Sequence, residues 1–170
     1  MHRWQQKKGM GKSEVSDTLL GRHIVFPSSL FQLQADELIP VDEVLKDIEG
    51  KTKIVSIIDG DCMKCIISNM NVQDSLFHTI ILDSDQQMIF ILNVRPADSS
   101  YFMRNLQPAI RVQGIVLWDN DFNFEAVNAL FTPDVNLRTF MVNSSDSLVM
   151  YGNPLINPDL LQEYMSNLGY

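Results

Sequence analysis

The chain has 170 residues, of which 45% are hydrophobic and 20% charged, and a formal net charge of −8. This composition is ordinary for a globular protein, and the length suits one domain with a substantial buried core. A sequence pI near 4.7 argues against a nucleic-acid partner, because clustered Lys and Arg drive binding to phosphate backbones. No apolar run approaches the roughly 18–20 residues that cross a bilayer, so the chain is predicted to contain no transmembrane segment.

The first 20 residues are polar and rich in Gly, Lys and Ser. They predict an N-terminal arm at 1–20, followed by a single domain at 21–170. The start, from His2 to Lys8, is basic and has no apolar segment behind it, so it is not a secretory signal as it stands. Two interpretations remain open: the protein is cytoplasmic, or an export signal or lipid anchor lies upstream of this sequence.

Strands and helices alternate along the predicted domain. The predicted strands cover 23–26, 53–59, 88–94, 112–118, 139–142 and 148–151. The predicted helices cover 41–48, 62–81, 96–106, 122–131 and 158–168, with a break in the second one near Asn71. From residue 53 onward the order is β-α-β-α-β-α-β-β-α, which predicts an α/β fold with a parallel core sheet, an antiparallel C-terminal hairpin and flanking helices.

The chemistry is predicted to lie at the only two cysteines, Cys62 and Cys65, which follow a buried strand and open a helix. Unpaired N–H groups and the positive end of the helix dipole stabilise a thiolate at this position. The thiol pKa then falls below its free value of about 8.5. Because the thiolate is the nucleophile of disulfide exchange, we expect Cys62 to attack and Cys65 to resolve the mixed disulfide.

The neighbouring residues modify this expectation. Lys64 favours the thiolate, whereas Asp59 and Asp61 oppose it. Met63 is placed to contact a partner. Both aspartates are interpreted as turn residues that hydrogen-bond local backbone.

Two other interpretations of the cysteine pair stay open. Tetrahedral zinc needs two further ligands, and the three histidines of the chain show no metal-like spacing. Two inert buried cysteines would behave as small hydrophobic residues. No motif for an organic cofactor occurs, so neither a cofactor nor a metal is predicted.

Several segments resemble a known family. The run from Lys53 to Cys65 resembles the first core strand and active-site turn of thioredoxin-like proteins. The segments 139–143 and 148–154 resemble the closing hairpin of TlpA-type and AhpC/TSA-type redoxins, and 116–119 with Phe124 and Asn128 is similar to the strand and helix before it. The resemblance covers about 21–170 and points to extracytoplasmic, often lipid-anchored TlpA-like proteins of Bacteroidetes.

The resemblance implies a thioredoxin-like fold and a protein disulfide oxidoreductase without an organic cofactor. Its partners would be protein thiols and disulfides or an electron-donating redox protein, and the oligomeric state stays open. The location would be periplasmic or at the cell envelope if an export signal is missing, and cytoplasmic if Met1 is the true start.

The sequence departs from the family pattern beside the cysteines. The family usually has Trp before the first cysteine, where this chain has Asp61, and a cis-proline facing the pair, where this chain has Leu137 or, one place on, Arg138. The peroxidase branch has Pro seven residues and Thr three residues before its cysteine, and here Val55 and Asp59 argue against that activity. The alternative function is therefore a redox-inactive thioredoxin-like binding or assembly module of the cell envelope.

Overall fold

The computed structural model describes residues 19–34, 37–59, 63–80, 83, 85–130 and 134–170. In these ranges seven strands form one sheet with five helices around it. The strands are β1 (Phe31–Gln34), β2 (Glu37–Pro40), β3 (Thr52–Asp59), β4 (Gln86–Asn93), β5 (Ile115–Asp119), β6 (Thr139–Val142) and β7 (Leu148–Tyr151). The helices are α1 (Val41–Asp47), α2 (Met63–Ile80), α3 (Ser99–Asn105), α4 (Asn123–Asn128) and α5 (Leu160–Leu168).

The sheet has the order β2-β1-β5-β4-β3-β6-β7. Strands β3, β4 and β5 are parallel to one another, whereas β6 and β7 join antiparallel at one edge and β1 and β2 at the other. The predicted mixed sheet, with a parallel core and a C-terminal antiparallel hairpin, is therefore confirmed.

The central strands are covered on both faces. Ile54 and Phe90 belong to one hydrophobic cluster, which also contains residues of α2, α3 and α5. Their neighbours Val55 and Ile89 belong to a second cluster, which contains residues of α1 and α4. Successive side chains of a strand point to opposite faces, so the nearly continuous apolar runs of β3 and β4 build both cores at once.

Three details differ from the sequence prediction. The strand expected at 23–26 is reduced to one bridge between His23 and Ser147, although Ile24 and Phe26 are buried. The hairpin of β1 and β2 was not predicted, because its polar and apolar residues carry no strong strand pattern. Helix α2 is unbroken at Asn71, whose side chain accepts a hydrogen bond from the backbone N–H of Arg111 (3.0 Å).

None of the described helices combines the length and the apolar character needed to span a membrane.

Candidate functional site

Three parallel strands end side by side in polar residues. Asp59, Asn93 and Asp119 are the last residues of β3, β4 and β5, and the strand register places Asp59 beside Asn93 and Asn93 beside Asp119. Helix α2 begins at Met63, four residues after Asp59. Sites in open α/β sheets form at the carboxyl ends of the parallel strands, and this edge is the candidate site.

The predicted catalytic pair lies at this edge by sequence, but its side chains are outside the described residues. Asp61 and Cys62 are not among the described residues, and of Met63, Lys64 and Cys65 the structure describes only the backbone, as the first turn of α2. The roles assigned to these five residues stay predictions. The first turn of α2 carries no acidic residue, so no carboxylate there opposes a thiolate at the helix start.

An ion cluster joins the strand ends to the segment that enters β6. Arg138 ends a 3-10 turn, Val135–Arg138, immediately before β6. Its Nη1 donates to Asp59 Oδ2, and its Nη2 donates to Asp59 Oδ1 (2.9 Å) and to Glu125 Oε1 of α4 (2.9 Å). The Nδ2 of Asn93 donates to Asp59 Oδ1 (2.9 Å) and to Glu125 Oε2 (2.7 Å). Two donors therefore bridge the same pair of carboxylates.

Burial dominates the electrostatics of Glu125, which is only 3% exposed. Loss of hydration raises the pKa of the Glu125 carboxyl above its ordinary value, and the Coulombic effects of Asp59 and Asp119 raise it further. The charge of Arg138 and the hydrogen bond from Asn93 act in the opposite direction without reversing the shift.

The interpretation of Asp59 as a turn residue is wrong. Asp59 ends β3, and its carboxylate pairs with Arg138 across 79 positions of sequence. Asp119 does bind local backbone, since it accepts hydrogen bonds from the N–H groups of Asn123 (3.0 Å) and Phe124 (2.8 Å) at the start of α4.

A buried polar triad surrounds Ser56, which lies three residues before the end of β3. Ser56 of β3 donates to Gln73 Oε1 of α2 (3.0 Å), and Gln73 Nε2 donates to Thr139 Oγ1 of β6 (3.1 Å). The Ser56 and Thr139 hydroxyls are 3.1 Å apart, which closes the triangle. Each of these side chains is satisfied, so the triad fixes α2 against β3 and β6.

A cavity of about 670 Å³ opens above these polar groups. Its floor contains Asp59, Arg138 and the triad. Four large apolar side chains of its wall are at least 40% exposed; they are Val72 of α2, Val135 of the 3-10 turn, and Leu155 and Ile156 of the loop after β7. The cavity thus combines a polar floor with an apolar rim, as ligand sites commonly do.

The two residues predicted at the proline position have different environments. Leu137 is half-buried within the 3-10 turn, whereas Arg138 is held in the ion cluster. Within the described ranges, no three His, Cys, Asp or Glu side chains form a group that could hold a metal ion.

Sequence reasoning missed Glu125 and Asn93 as members of the site. A signal was present, since three buried apolar strands each end in Asp or Asn at their carboxyl ends. Glu125 precedes Asn128 by three positions, and residues at this spacing share one face of a helix, so a core-facing Asn128 places Glu125 near the core as well.

Comparison with known proteins decides the fold. A candidate thiol-disulfide oxidoreductase from Bacteroides vulgatus superposes with a TM-score of 0.58 at 14% identity, covering 88% of this chain and 96% of that one. A candidate thiol:disulfide interchange protein DsbE from Chlorobium tepidum gives 0.55 at 12% identity, with coverages of 88% and 98%. The chain has the thioredoxin-like fold.

Another neighbour of this thioredoxin-like domain is the pneumococcal exposed lipoprotein thioredoxin of Streptococcus pneumoniae. Its TM-score is 0.55 at 12% identity, and the alignment covers 81% of this chain and 98% of that one. No family model and no curated protein matches the sequence.

Proposed function

We propose that this thioredoxin-like domain catalyses thiol–disulfide exchange through Cys62 and Cys65. The observation that carries the proposal is the place of the C-x-x-C along the chain: Cys62 follows the last residue of β3 by three positions, and Cys65 belongs to the first turn of α2. The names of structural neighbours with the same fold, thiol-disulfide oxidoreductases among them, support it.

The exchange needs no organic cofactor. The Cys62 thiolate attacks one sulfur of a partner disulfide, the partner S–S bond breaks, and the other partner sulfur leaves as a thiolate that takes up a proton. Cys65 then loses its proton and attacks the sulfur of Cys62, which releases the second partner thiol. The domain ends as a Cys62–Cys65 disulfide and the partner gains two electrons, and the reverse sequence oxidises a partner dithiol.

The cavity supports a protein rather than a small anionic thiol as the partner. Its apolar rim suits hydrophobic side chains that flank a cysteine in a polypeptide. Arg138 is already paired with two carboxylates, so it offers no spare charge to an acidic molecule such as glutathione.

A trapping experiment tests both the exchange and the choice of partner. Cys65→Ser should hold a mixed disulfide between Cys62 and a protein disulfide, because the resolving thiol is gone. Cys62→Ser is the matched control and should trap nothing. Replacing Val135 by Asp should slow trapping of the protein substrate severalfold and leave reaction with glutathione disulfide nearly unchanged. Equal trapping by both cysteine variants would refute the assigned roles.

One observation favours the second candidate function, a redox-inactive binding or assembly module. Arg138 and Leu137 stand where the family has its substrate-holding proline, and the Arg138 guanidinium is committed to Asp59 and Glu125. A partner would then be held by the apolar rim without electron transfer. A protein that binds partners equally well with both cysteines replaced by serine would support this candidate.

We also propose an extracytoplasmic location, at the periplasm or cell envelope. The lipoprotein name of the Streptococcus pneumoniae neighbour supports it. Fractionation of cells that express the full-length gene product tests it, and recovery from the cytoplasm alone would refute it.

A further inference from the structure

Amide side chains line the cavity from two sides. Asn69 and Gln73 lie one turn apart on the same face of α2, and Asn153 lies in the loop that follows β7. Gln73 is 2% exposed, and both ends of its amide are engaged in the triad with Ser56 and Thr139. The amides that remain available to a ligand are therefore those of Asn69, which is exposed, and Asn153, which is half-buried.

These two amides have hydrogen-bonding capacity to spare. The side chain of Asn69 bonds to no other residue in the described ranges. Asn153 Oδ1 accepts a hydrogen bond from the backbone N–H of Leu155 (2.9 Å), whereas its Nδ2 donates to no described residue. A side-chain amide has two donors on its nitrogen and an acceptor on its oxygen. Asn69 therefore offers both donors and an acceptor to a ligand, and Asn153 offers donors.

The charges at the cavity are already matched. Of the described residues that line it, only Asp59 and Arg138 are charged, and both Nη atoms of the guanidinium donate to that carboxylate. Asp59 Oδ1 also accepts a hydrogen bond from Asn93 (2.9 Å). A charged ligand group would lose hydration here without meeting a free counter-charge, whereas a neutral amide exchanges water for hydrogen bonds to Asn69 and Asn153. The cavity is therefore suited to an uncharged polar group.

Each available amide has exposed apolar residues beside it on its own element. Val72 follows Asn69 by three positions on α2 and is 55% exposed, and Leu155 and Ile156 follow Asn153 in the loop. A ligand that reaches the amides therefore also covers these apolar side chains, which removes apolar surface from water. A polypeptide with a polar side chain between apolar ones meets both requirements at once.

We propose that the cavity binds an uncharged segment of the partner polypeptide in which a glutamine or asparagine side chain lies between apolar residues. The inference rests on the proposed exchange function and names the segment that such a partner presents. The bound amide accepts a hydrogen bond from Nδ2 of Asn153 and donates one to Oδ1 of Asn69. Its apolar neighbours pack on Val72, Leu155 and Ile156. Asn69 and Asn153 thus determine which partner segments the domain accepts.

Cysteine-free peptides test the proposal on the full chain. Three acetylated, amidated pentapeptides carry valine on both sides of a central glutamine, glutamate or methionine, and nitrogen-15 NMR follows the side-chain amide signals of Asn69 and Asn153. The glutamine peptide should shift both signals and bind about tenfold more tightly than the glutamate peptide and severalfold more tightly than the methionine peptide, because only glutamine satisfies the amides without burying a charge. Asn69→Ala should abolish this preference. The matched control Ser75→Ala, at an exposed position of α2 outside the described lining, should keep it.

The outcomes separate this inference from the function on which it rests. Equal binding of the three peptides, or a glutamine preference that Asn69→Ala leaves intact, would overturn the inference alone, because peptides without cysteine bind whether or not the domain exchanges disulfides. Cysteines that form no disulfide in the wild type, with the glutamine preference present, would overturn the exchange function and leave the cavity as the docking site of a redox-inactive module. A preference lost in Asn69→Ala, together with reversible disulfide formation, would support both.

Discussion

Arg138 and Asp59 lie 79 residues apart in sequence and meet in a two-pronged ion pair at the carboxyl end of β3. Asp59 is the last residue of the strand that leads to the C-x-x-C, and Arg138 is the last residue before β6. The pair therefore joins the end of β3, which leads to the cysteine segment, to the 3-10 turn Val135–Arg138 that lines the cavity. The stability of the domain should depend on pH, because the charge of Arg138 also compensates that of the buried Glu125.

Replacing Arg138 by Met should lower the free energy of unfolding by about 2–4 kcal/mol at pH 7. Two carboxylates then lose their cation, and the partial exposure of Asp59 keeps the loss below that of a fully buried pair. The loss should shrink near pH 4, where Glu125, whose pKa is raised by burial, takes up a proton and no longer needs a cation. Urea denaturation at both pH values measures it, with Arg104→Met on the exposed face of α3 as the control. Equal losses at both pH values would show that charge balance is not the cause.

Glu125→Gln should flatten the dependence of stability on pH in the mildly acidic range. Burial raises the pKa of Glu125 in the folded state, so above the ordinary Glu value of about 4.3 the unfolded chain ionises more readily than the folded one. The stabilising contribution of Glu125 is therefore complete below the ordinary Glu pKa. It is lost as the pH rises through the raised pKa of Glu125 in the folded state. Denaturation at several pH values measures how the free energy of unfolding changes with pH. The control Glu163→Gln, at an exposed position of α5, should show the same pH dependence as the wild type, and an unchanged dependence in Glu125→Gln would contradict the prediction.

Gly152→Ala should destabilise the domain by more than Gly50→Ala. At Gly152 the backbone has φ of +120°, and an added Cβ would lie 2.3 Å from Leu160 Cδ1 of α5. Gly50 also has a positive φ, +74°, but an added Cβ there meets open space. We expect a loss of about 1 kcal/mol at Gly50 from backbone strain alone and of roughly 2–4 kcal/mol at Gly152. Thermal unfolding of the two variants tests the difference, and similar losses would mean that α5 moves away freely.

Two tyrosines with buried hydroxyl groups, Tyr164 and Tyr151, should respond differently to the loss of those groups. Tyr164 Oη donates to the carbonyl of Gly152 (2.8 Å), whereas the buried Oη of Tyr151 has no partner among the described residues. Tyr164→Phe should therefore cost about 1 kcal/mol at pH 7, and Tyr151→Phe should be neutral or slightly stabilising. Denaturant titration of both variants measures this, and a larger cost at Tyr151 would refute the hydrogen-bond assignment.

Tyr151 also allows a test at alkaline pH. Burial raises the pKa of Tyr151 to about 12, so the unfolded chain ionises first and stability falls as the pH rises from 10 to 12. Tyr151→Phe should remove part of that fall.

The central sheet could be predicted from the sequence because its signal is local. The apolar runs of β3 and β4 are buried on both faces, and the polar turn between β6 and β7 marks a hairpin. Two adjacent aromatic residues of α3, Tyr101 and Phe102, show where a local pattern is not enough. Phe102 is 1% exposed, but Tyr101 is 55% exposed, since neighbouring helix positions point about 100° apart.

The ion cluster could not be predicted in the same way, because it depends on partners far apart in sequence. Asp59 looked like a turn residue, since nothing near it in the chain reveals that Arg138 reaches it. Arg138 was considered only as a residue at or next to the position where the resembling family has its cis-proline. The alignment of Asp59, Asn93 and Asp119 at the strand ends becomes visible once the parallel register is known.

Redox titration of the cysteine pair tests the proposed function most directly. The full chain is equilibrated across a glutathione redox series, and its free thiols are counted by alkylation gel shift. We predict one reversible two-electron transition between the dithiol and the Cys62–Cys65 disulfide, absent in Cys62→Ser. Two thiols that alkylate independently at every ratio of reduced to oxidised glutathione, with no such transition, would contradict the account and leave the redox-inactive binding module.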